Sequence, residues 1–312
     1  MERNRILVGI EDGQFRIPKE IRKRTLMELI ERYEKGHQDK IASAKQEAEI
    51  RWWKSHLGAR RLFEITPVLV AEYRDRLKHE ITIRNKPRSN GSVRRHLAVL
   101  SHILNVAVKE FGWMQENPIM KVKKPKEASG SIRFLSQEER ERLLKACRES
   151  SNLFLYPVTI LALSTGMRQG EIMNLHWSDV DLHNGRIILL KTKNKESRRV
   201  PLGKTPLQMM RDLNKVRRKD TALLFPSNEN PKRPMDLRFP WEKALRVAGI
   251  ENFRFHDCRH SAASELAMNG ASLAEIAEIL GHKTLAMVKR YAHLSESHTA
   301  KVVESMNEKI FG

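Results

Sequence analysis

His256-Asp257-Cys258-Arg259-His260 is the stretch from which the rest of this chain is best interpreted, together with Leu280-Gly281-His282 and Tyr291 further along. An arginine can hold a phosphate through two parallel hydrogen bonds, and a histidine can add another or carry a proton. A tyrosine hydroxyl can act as a nucleophile when a neighbouring group takes its proton. These residue types in this order therefore predict a site that binds a phosphate and reacts with it.

The composition narrows the class of protein and of partner. The chain has 312 residues, enough for two domains, and its 58 Lys plus Arg against 38 Asp plus Glu give a formal charge of +20. Such an excess favours a polyanionic partner, with nucleic acid the leading candidate, although a basic protein without one stays an alternative. Two cysteines, apolar runs too short to span a bilayer and a charged N-terminus predict a cytoplasmic protein without disulfides or membrane contact.

The first half of the chain has helical periodicity after a short extension, residues 1–22. Four helices are expected within 23–112: one over Leu26 to Tyr33, one over 41–57, one starting at Thr66-Pro67 and one starting at Asn90-Gly91-Ser92. Residues 113–131 lose the periodicity and carry several lysines, which indicates an extended basic linker. We therefore predict a compact all-α domain followed by a tether.

Basic residues gather where the last of these helices begins and again in the linker. Solvated charge is the usual explanation, but backbone amides at a helix N-terminus already favour phosphate, which supports DNA contact. The residues predicted to touch DNA are Arg84, Lys86, Arg88, Arg94, Arg95, Lys121, Lys123 and Lys124.

The second half, 132–312, is predicted to be a mixed α/β domain. Ser136 opens a capping box, an apolar helix follows over 153–163, and Arg168 opens a short helix. Strands at 185–190 and 198–202 flank a hairpin that carries Lys193 at its tip. Further helices are expected at 206–217, 239–248, 256–268, 273–280, 285–293 and 298–310. The fold class is mostly α with a small antiparallel β-sheet.

Each candidate residue has an ordinary explanation when it is taken alone. Arg168 could pair with Glu171 on the helix surface, and Lys193 could be a solvated hairpin lysine. A tyrosine on an amphipathic helix, such as Tyr291, is more often part of a core than a nucleophile. The order and spacing of the whole set is what points to chemistry.

The set resembles the signature of the tyrosine recombinases, the phage-integrase family of site-specific DNA recombinases. The matching motifs are Thr165-Gly166-Met167-Arg168-Gln169-Gly170-Glu171, Lys193 ahead of Val200-Pro201-Leu202, His256-Asp257-Cys258-Arg259-His260, Leu280-Gly281-His282 and Tyr291. The helical half also looks like the family's SAM-like core-binding domain. Cys258 and Ser261 stand where the family often has leucine and threonine, and residues 1–22 are too few for a complete arm-site-binding domain.

The resemblance implies a mechanism and a set of roles. Tyr291 would attack the scissile phosphodiester and form a 3′-phosphotyrosyl link, which a 5′-hydroxyl later reverses without ATP. Arg168, Arg259 and His282 would stabilise the charge on the phosphate, and Lys193 would protonate the departing 5′-oxygen. His256 would take the phenol proton, Glu171 and Asp257 would orient their neighbours, and His260 and Cys258 would be packing residues.

The family also implies a homotetramer on two DNA sites, no cofactor and no metal, and possible accessory DNA-bending or directionality proteins. Integration or excision of a phage or other mobile element is the expected function, with dimer resolution as an alternative. The C-terminal residues 298–311 could pack into a neighbouring subunit or fold back on their own domain.

Three other functions remain open from the residues. A metallohydrolase could use His256 and His260 as ligands, but it leaves Arg168, Lys193 and Tyr291 unexplained. A type IB topoisomerase-like enzyme would share the phosphotyrosine chemistry. A DNA-binding module would keep the fold without the reaction.

Overall fold

The structure is a computed structural model that describes residues 19–37, 44–82, 85–126, 133–189 and 197–312. The contacts between residues divide the chain into two compact units, Met1–Ser129 and Gly130–Gly312. Two predicted functional residues, Arg84 and Lys193, lie outside the described residues, as does the predicted hairpin tip. The predicted boundaries of the N-terminal extension (1–22), the helical domain (23–112), the linker (113–131) and the second domain (132–312) stay a prediction.

The first unit is helical throughout most of its described part, as expected. Helix starts follow their sequence signals: Thr25, Thr66 and Ser89 each accept a hydrogen bond from a backbone amide in the first turn that follows. The core centres on Trp53, which is fully buried and donates its indole N–H to the carbonyl of His96 at 2.8 Å. The helices are α1 Lys19–Arg22, α2 Leu26–Gly36, α3 Ala44–Leu57, α4 Pro67–His79 and α5 Asn90–Lys109.

The described part of the predicted linker packs on this unit instead of extending away from it. Trp113, Ile119 and Val122 are buried in the helical core, and Pro118–Lys121 forms a turn of 3₁₀ helix. In the sequence these apolar residues stand among polar residues and Pro118, with Lys121, Lys123 and Lys124 around Val122, so they show no periodicity. Side chains of α4 and α5 then hold the backbone that follows: Arg74 donates to the carbonyl of Lys123, Asn90 to that of Lys126 and Arg94 to that of Pro125.

The second unit surrounds a helix that is apolar on all sides. This helix, α7, is almost completely buried, as expected for a helix without a polar face, and it packs against α6 and α11. The elements before the sheet are α6 Gln137–Arg148, α7 Leu155–Thr165, α8 Gln169–Met173 and a 3₁₀ turn Trp177–Asp179. Those after it are α9 Lys204–Lys215, α10 Arg238–Ala248, α11 Asp257–Met268 and α12 Leu273–Leu280.

The sheet is small and antiparallel. Strands β2 Arg186–Leu189 and β3 Arg198–Pro201 pair with Ile187 opposite Val200, which confirms the predicted hairpin partners. A short strand β1, Val180–Asp181, adds to the other edge of β2, and the sequence does not predict it because two residues carry no periodicity. The fold class, mostly α with a small antiparallel sheet, is confirmed.

The segment 285–293, predicted as one α-helix, forms two 3₁₀ turns, Leu285–Met287 and Lys289–Ser295. The reason is the spacing of its buried residues. Val288 and Tyr291 are buried and Leu294 packs beside them, and steps of three residues align on one face of a 3₁₀ helix. The last helix, α13 Glu296–Phe311, leaves Val302, Met306 and Ile310 half exposed or more.

Candidate active site

The C-terminal end of α12 organises the candidate active site. The last carbonyls of a helix have no partner within it, and here consecutive ones accept hydrogen bonds from arginines. Arg198 donates to the carbonyl of Ile279 at 3.1 Å, Arg259 to that of Leu280 at 2.6 Å and Arg168 to that of Gly281 at 3.4 Å. Because the helix dipole places partial negative charge at this end, it is a favourable place to collect guanidinium groups.

Gly281 ends α12 in a left-handed conformation that directs the chain towards His282. Its φ is +65°, its amide donates to the carbonyl of Glu278, and the amide of His282 donates to that of Ala277 at 2.8 Å. This pair of bonds is the Schellman arrangement, which satisfies two of the helix's free carbonyls. A Cβ on Gly281 would lie 2.5 Å from Nη1 of Arg198, so glycine is required here for space as well as for backbone angle.

Replacing Gly281 by alanine should separate these two requirements. Gly249 ends α10 with φ +64°, and a Cβ added there would have nothing within 4 Å, so Gly249→Ala carries the same backbone strain without the collision. Each variant should lose about 1–2 kcal/mol of stability from the left-handed conformation. Only Gly281→Ala should also slow the DNA cleavage that the sequence predicts for this site, by about 100-fold, because it displaces Arg198 and the carbonyls beside it. Equal cleavage rates for the two variants, measured in single-turnover assays, would contradict this explanation.

Arg259 is the most buried of the arginines in the site. It lies in the first turn of α11 with 4% exposure, and its two terminal nitrogens donate to the carbonyls of Gly166 and Leu280, each at 2.6 Å. Gly166 ends α7 with a positive φ, and a Cβ there would collide with Leu280. Burial, together with repulsion from Arg168 and Arg198, lowers the pKa of Arg259 to about 10, so the side chain stays charged at neutral pH.

Arg168 is held by Glu171 and, through it, linked to Arg198. The carboxylate of Glu171 accepts from Nη1 of Arg168 and from Nη2 of Arg198, each at 2.8 Å, and from the amide of Arg168 at 3.0 Å. Burial alone would raise the pKa of Glu171, but these hydrogen bonds and charges outweigh it and the pKa is lowered. The predicted orienting contact of Glu171 is therefore present, and it reaches two arginines.

Arg198 is a member of the site that sequence reasoning missed. It is the first residue of β3, and its side chain is only 12% exposed. The signal was available: alternate residues of a strand share a face, so Arg198 is on the face of Val200, which packs into the core. An arginine on the inward face of a strand requires a buried partner, which here is Glu171.

These arginines leave the site with an excess of positive charge. Glu171 lies among Arg168, Arg198 and Arg259, and its carboxylate pairs with Arg168 and Arg198. Burial and repulsion from these three arginines lower the pKa of His282 to about 4. His282 is therefore neutral at pH 7 and can donate a hydrogen bond without adding charge. A bound phosphodiester would relieve the repulsion.

Tyr291 contacts a different histidine from the one that was predicted. Its phenol oxygen lies 2.5 Å from Nδ1 of His260, and the side chain is 1% exposed. His256 is exposed, and its ring centre lies 5.5 Å from that of His260. The expected role of His256 as acceptor of the phenol proton stays a prediction, but the histidine in contact with the phenol is His260, which was expected to be a packing residue. The reason is that one turn of α11 carries His260 towards the 3₁₀ turn Lys289–Ser295, which holds Tyr291.

Asp257 is buried at the start of α11 and orients the backbone there. Its carboxylate accepts from the amide of Arg254 at 2.7 Å. Its own carbonyl accepts from the hydroxyl of Ser261, which in turn accepts from the amide of Leu135. These bonds fix the first turn of the helix on which Arg259 and His260 stand. The predicted orienting role of Asp257 has this geometric basis and stays a prediction.

The depressed histidine pKa values predict that the second unit loses stability in acid. Burial lowers the pKa of His260 and His282 below the ordinary value of 6.5, so the unfolded chain binds protons that the folded chain does not. Stability should therefore be complete above pH 6.5 and fall as the pH drops towards 4. His282 alone should account for about 3 kcal/mol over that interval.

Urea unfolding at pH 7 and at pH 4.5 measures this effect. His282→Gln should lose less stability on acidification than the unmodified protein. His183→Gln replaces an exposed histidine between β1 and β2 and serves as the matched control for the loss of a histidine. An identical acid loss in both variants would show that His282 is not the group responsible.

Comparison with known proteins places the chain in a family. The phage integrase family model matches residues 133–298, and the phage integrase SAM-like domain model matches residues 26–124. The chain belongs to the phage integrase family.

This member of the phage integrase family has relatives among recombinases and integrases. It is 37% identical over 286 residues to the shufflon-specific DNA recombinase of Escherichia coli, covering 88% of this chain and 70% of that protein. It is 29% identical over 310 residues to the integrase of Salmonella phage P22, covering 89% of this chain and 78% of that one. The chain is accordingly a DNA strand-transferring enzyme of the tyrosine recombinase type, and it acts in site-specific recombination.

Solved structures share the fold of this family member. The Tn1549 transposon integrase in complex with a circular intermediate DNA superposes with a TM-score of 0.73 at 18% identity, covering 90% of this chain and 99% of that one. A lambda integrase dimer bound to a COC′ core site gives a TM-score of 0.68 at 19% identity, covering 93% and 85%. At identities this low, the superposition shows that the fold is shared and no more than that.

The residues predicted to contact DNA lie in the first unit, apart from Arg84, which is outside the described residues. Lys86, Lys121, Lys123 and Lys124 are exposed. Three arginines also bond within the protein: Arg88 to Glu80, Arg94 to the carbonyl of Pro125 and Arg95 to Glu49. Their contact with DNA stays a prediction.

Neither a membrane span nor a metal-binding cluster occurs in the part of the chain that the structure describes. No helix there is both long enough and apolar enough to cross a bilayer. The same residues contain no group of three or more His, Cys, Asp or Glu side chains placed to hold a metal ion.

Proposed function

We propose that this protein is the integrase of a phage or other mobile element and that Tyr291 is its nucleophile. The observation that carries the proposal is the convergence of Arg168, Arg259 and His282 at the end of α12, where the charge of Arg259 also acts on Tyr291. Burial raises the pKa of the Tyr291 phenol, and the charges of Arg290 and Arg259 oppose that rise. An excess of guanidinium charge beside a tyrosine hydroxyl suits the attack of that hydroxyl on a phosphodiester.

The chemistry divides between binding and proton transfer. Arg259 has two of its N–H groups on carbonyls, so its remaining donors can face a phosphate while the guanidinium plane is held fixed. Arg168, held by Glu171, supplies a second planar donor, and neutral His282 supplies a hydrogen bond. Negative charge that grows on the phosphate oxygens during attack is stabilised by these fixed groups.

The remaining steps of the reaction are proposed here, and membership of the family supports them. Attack joins the Tyr291 oxygen to phosphorus as a 3′-phosphotyrosyl link and releases a 5′-hydroxyl. Lys193, which lies outside the described residues, is the proposed donor of the proton to that leaving oxygen. A 5′-hydroxyl from the partner strand then reverses the step, so the energy of the bond is conserved.

The proposed substrate is double-stranded DNA carrying two specific sites. Four strands are exchanged, so four tyrosines are needed and a homotetramer on DNA is proposed. The exposed apolar residues of α13, among them Val302, Met306 and Ile310, are available to contact a neighbouring subunit. Accessory DNA-bending or directionality proteins and a cytoplasmic, nucleoid-associated location belong to the same proposal.

The direct test uses nicked duplexes made from the DNA that flanks the gene. The nick lets the short strand beyond the cleavage site diffuse away, so a covalent protein–DNA adduct accumulates, and peptide mapping should place it on Tyr291. EDTA should leave the adduct unchanged. Adduct on another residue, or cleavage that requires a divalent metal, would overturn the proposal.

A plasmid with two candidate sites separates recombination from related activities. Exchange between the sites supports an integrase or another recombinase. Relaxation of supercoils without site dependence or exchange would indicate a topoisomerase-like enzyme, and binding without an adduct would indicate a DNA-binding module.

A further inference from the structure

The phenol of Tyr291 is enclosed with one histidine. Its oxygen lies 2.5 Å from Nδ1 of His260, and at 1% exposure the side chain is sealed from bulk water by Val288, Leu280 and the helix α11. A phenol must lose its proton to attack phosphorus, and bulk water does not reach this one. The group already in hydrogen-bond contact with it is His260.

His256 is less suited to the same task. It is exposed at the start of α11, and its ring meets that of His260 edge to face with centres 5.5 Å apart. The ring of His260 therefore lies between the ring of His256 and the phenol of Tyr291.

We propose that His260 is the catalytic base that accepts the proton of Tyr291 and returns it when the DNA is rejoined. This inference rests on the proposed function and names a residue for one of its steps. In the resting arrangement the phenol O–H donates to Nδ1, and the imidazole carries its own proton on Nε2.

The step balances without another reactant. The Tyr291 proton moves to Nδ1 of His260 as the bond from the phenol oxygen to phosphorus forms. The bond from phosphorus to the 5′-oxygen breaks, and that oxygen takes its proton from the general acid, proposed to be Lys193. Rejoining runs the same transfers in reverse, with imidazolium protonating the tyrosine oxygen as it leaves.

The surroundings of the pair oppose this transfer until DNA arrives. Burial lowers the pKa of His260 and raises that of Tyr291, which keeps both groups neutral. His256, Arg290 and Arg259 also disfavour a positive charge on His260, whereas Asp257 favours it. A phosphodiester held by the arginines adds negative charge to the site, which makes imidazolium less costly and supports proton transfer only when substrate is bound.

Single-turnover cleavage of the nicked duplex, followed from pH 6 to pH 9, tests the assignment. The unmodified protein should cleave at a nearly constant rate above the lowered pKa of His260. His260→Phe should cleave about 100-fold more slowly at pH 7, and its rate should rise roughly tenfold per pH unit because phenolate must form without a base. Gel-shift binding and thermal unfolding check that the variant is folded and binds DNA.

Two matched variants distinguish a base from a positioning group. His260→Gln keeps a hydrogen-bond acceptor but cannot take a proton at these pH values, so it should show the same steep profile as His260→Phe. His256→Phe makes the same replacement one helical turn away and should keep a flat profile whatever its rate.

The outcomes separate the two proposals. If the wild-type adduct forms on Tyr291 and His260→Phe keeps a flat pH profile, the role of His260 is overturned and the proposed function stands. The same conclusion follows if His256→Phe shows a steep pH profile and His260→Phe does not. Wild-type profile and rate in His260→Gln would show a positioning role and also overturn it. Absence of any wild-type adduct would overturn the proposed function itself.

Discussion

Tyr291→Phe should form no covalent adduct with a nicked duplex while the protein remains folded. The substitution keeps the ring that packs with Val288 and Leu280 and removes the hydroxyl bonded to His260. The lost hydrogen bond should cost about 1 kcal/mol of stability, whereas the reaction loses its nucleophile and should stop. Denaturing gels of single-turnover reactions measure the adduct, and gel shifts measure DNA binding, which should be close to that of the unmodified protein.

Tyr33→Phe is a control matched in burial. Tyr33 is also 1% exposed but belongs to the core of the first unit. The variant Tyr33→Phe should lose only about 1 kcal/mol of stability. It should therefore form the adduct at a rate within about twofold of the unmodified protein. An adduct that persists in Tyr291→Phe would remove Tyr291 from its proposed role.

Arg259→Lys should slow cleavage by about 100- to 1000-fold although the positive charge is kept. A lysine ammonium cannot span the carbonyls of Gly166 and Leu280 and also face a phosphate with a fixed planar edge. The buried carbonyls that lose their donor should cost a further loss of about 1–3 kcal/mol in stability. Both quantities are measurable, by single-turnover cleavage and by urea unfolding.

Arg140→Lys makes the same replacement outside the site. Arg140 stands on α6, its side chain is one-third exposed, and it pairs with Glu265. Its conversion should change cleavage by no more than about threefold, because a partly exposed ion pair contributes little. Comparable rates for Arg259→Lys and Arg140→Lys would mean that the fixed guanidinium of Arg259 is not needed for cleavage.

The positions at which helices begin and end are largely predictable from the sequence of this protein. Four hydroxyl residues begin helices and two glycines end them: Thr25, Thr66, Ser89, Ser136, Gly166 and Gly281. Capping depends on atoms a few residues apart, so the sequence contains the information directly. The exception, 285–293, keeps its buried positions but adopts a different helical period.

Contacts between distant residues are not predictable to the same degree. Sequence reasoning misses Arg198 because its partners, Glu171 and the carbonyl of Ile279, are far away in the chain. It assigns Trp113, Ile119 and Val122 to a linker because their neighbours are polar. Only packing shows that these three side chains complete the core of the first unit.

By itself, the sequence determined the chemical groups of the site, their order along the chain and the helix ends that hold them, since capping and periodicity are local. The tertiary structure alone decided which histidine meets Tyr291 and that the carbonyls ending α12 gather three arginines, Arg168, Arg198 and Arg259. His256 and His260 are one helical turn apart and chemically identical. Packing of the 3₁₀ turn Lys289–Ser295 against one face of α11 is what distinguishes them.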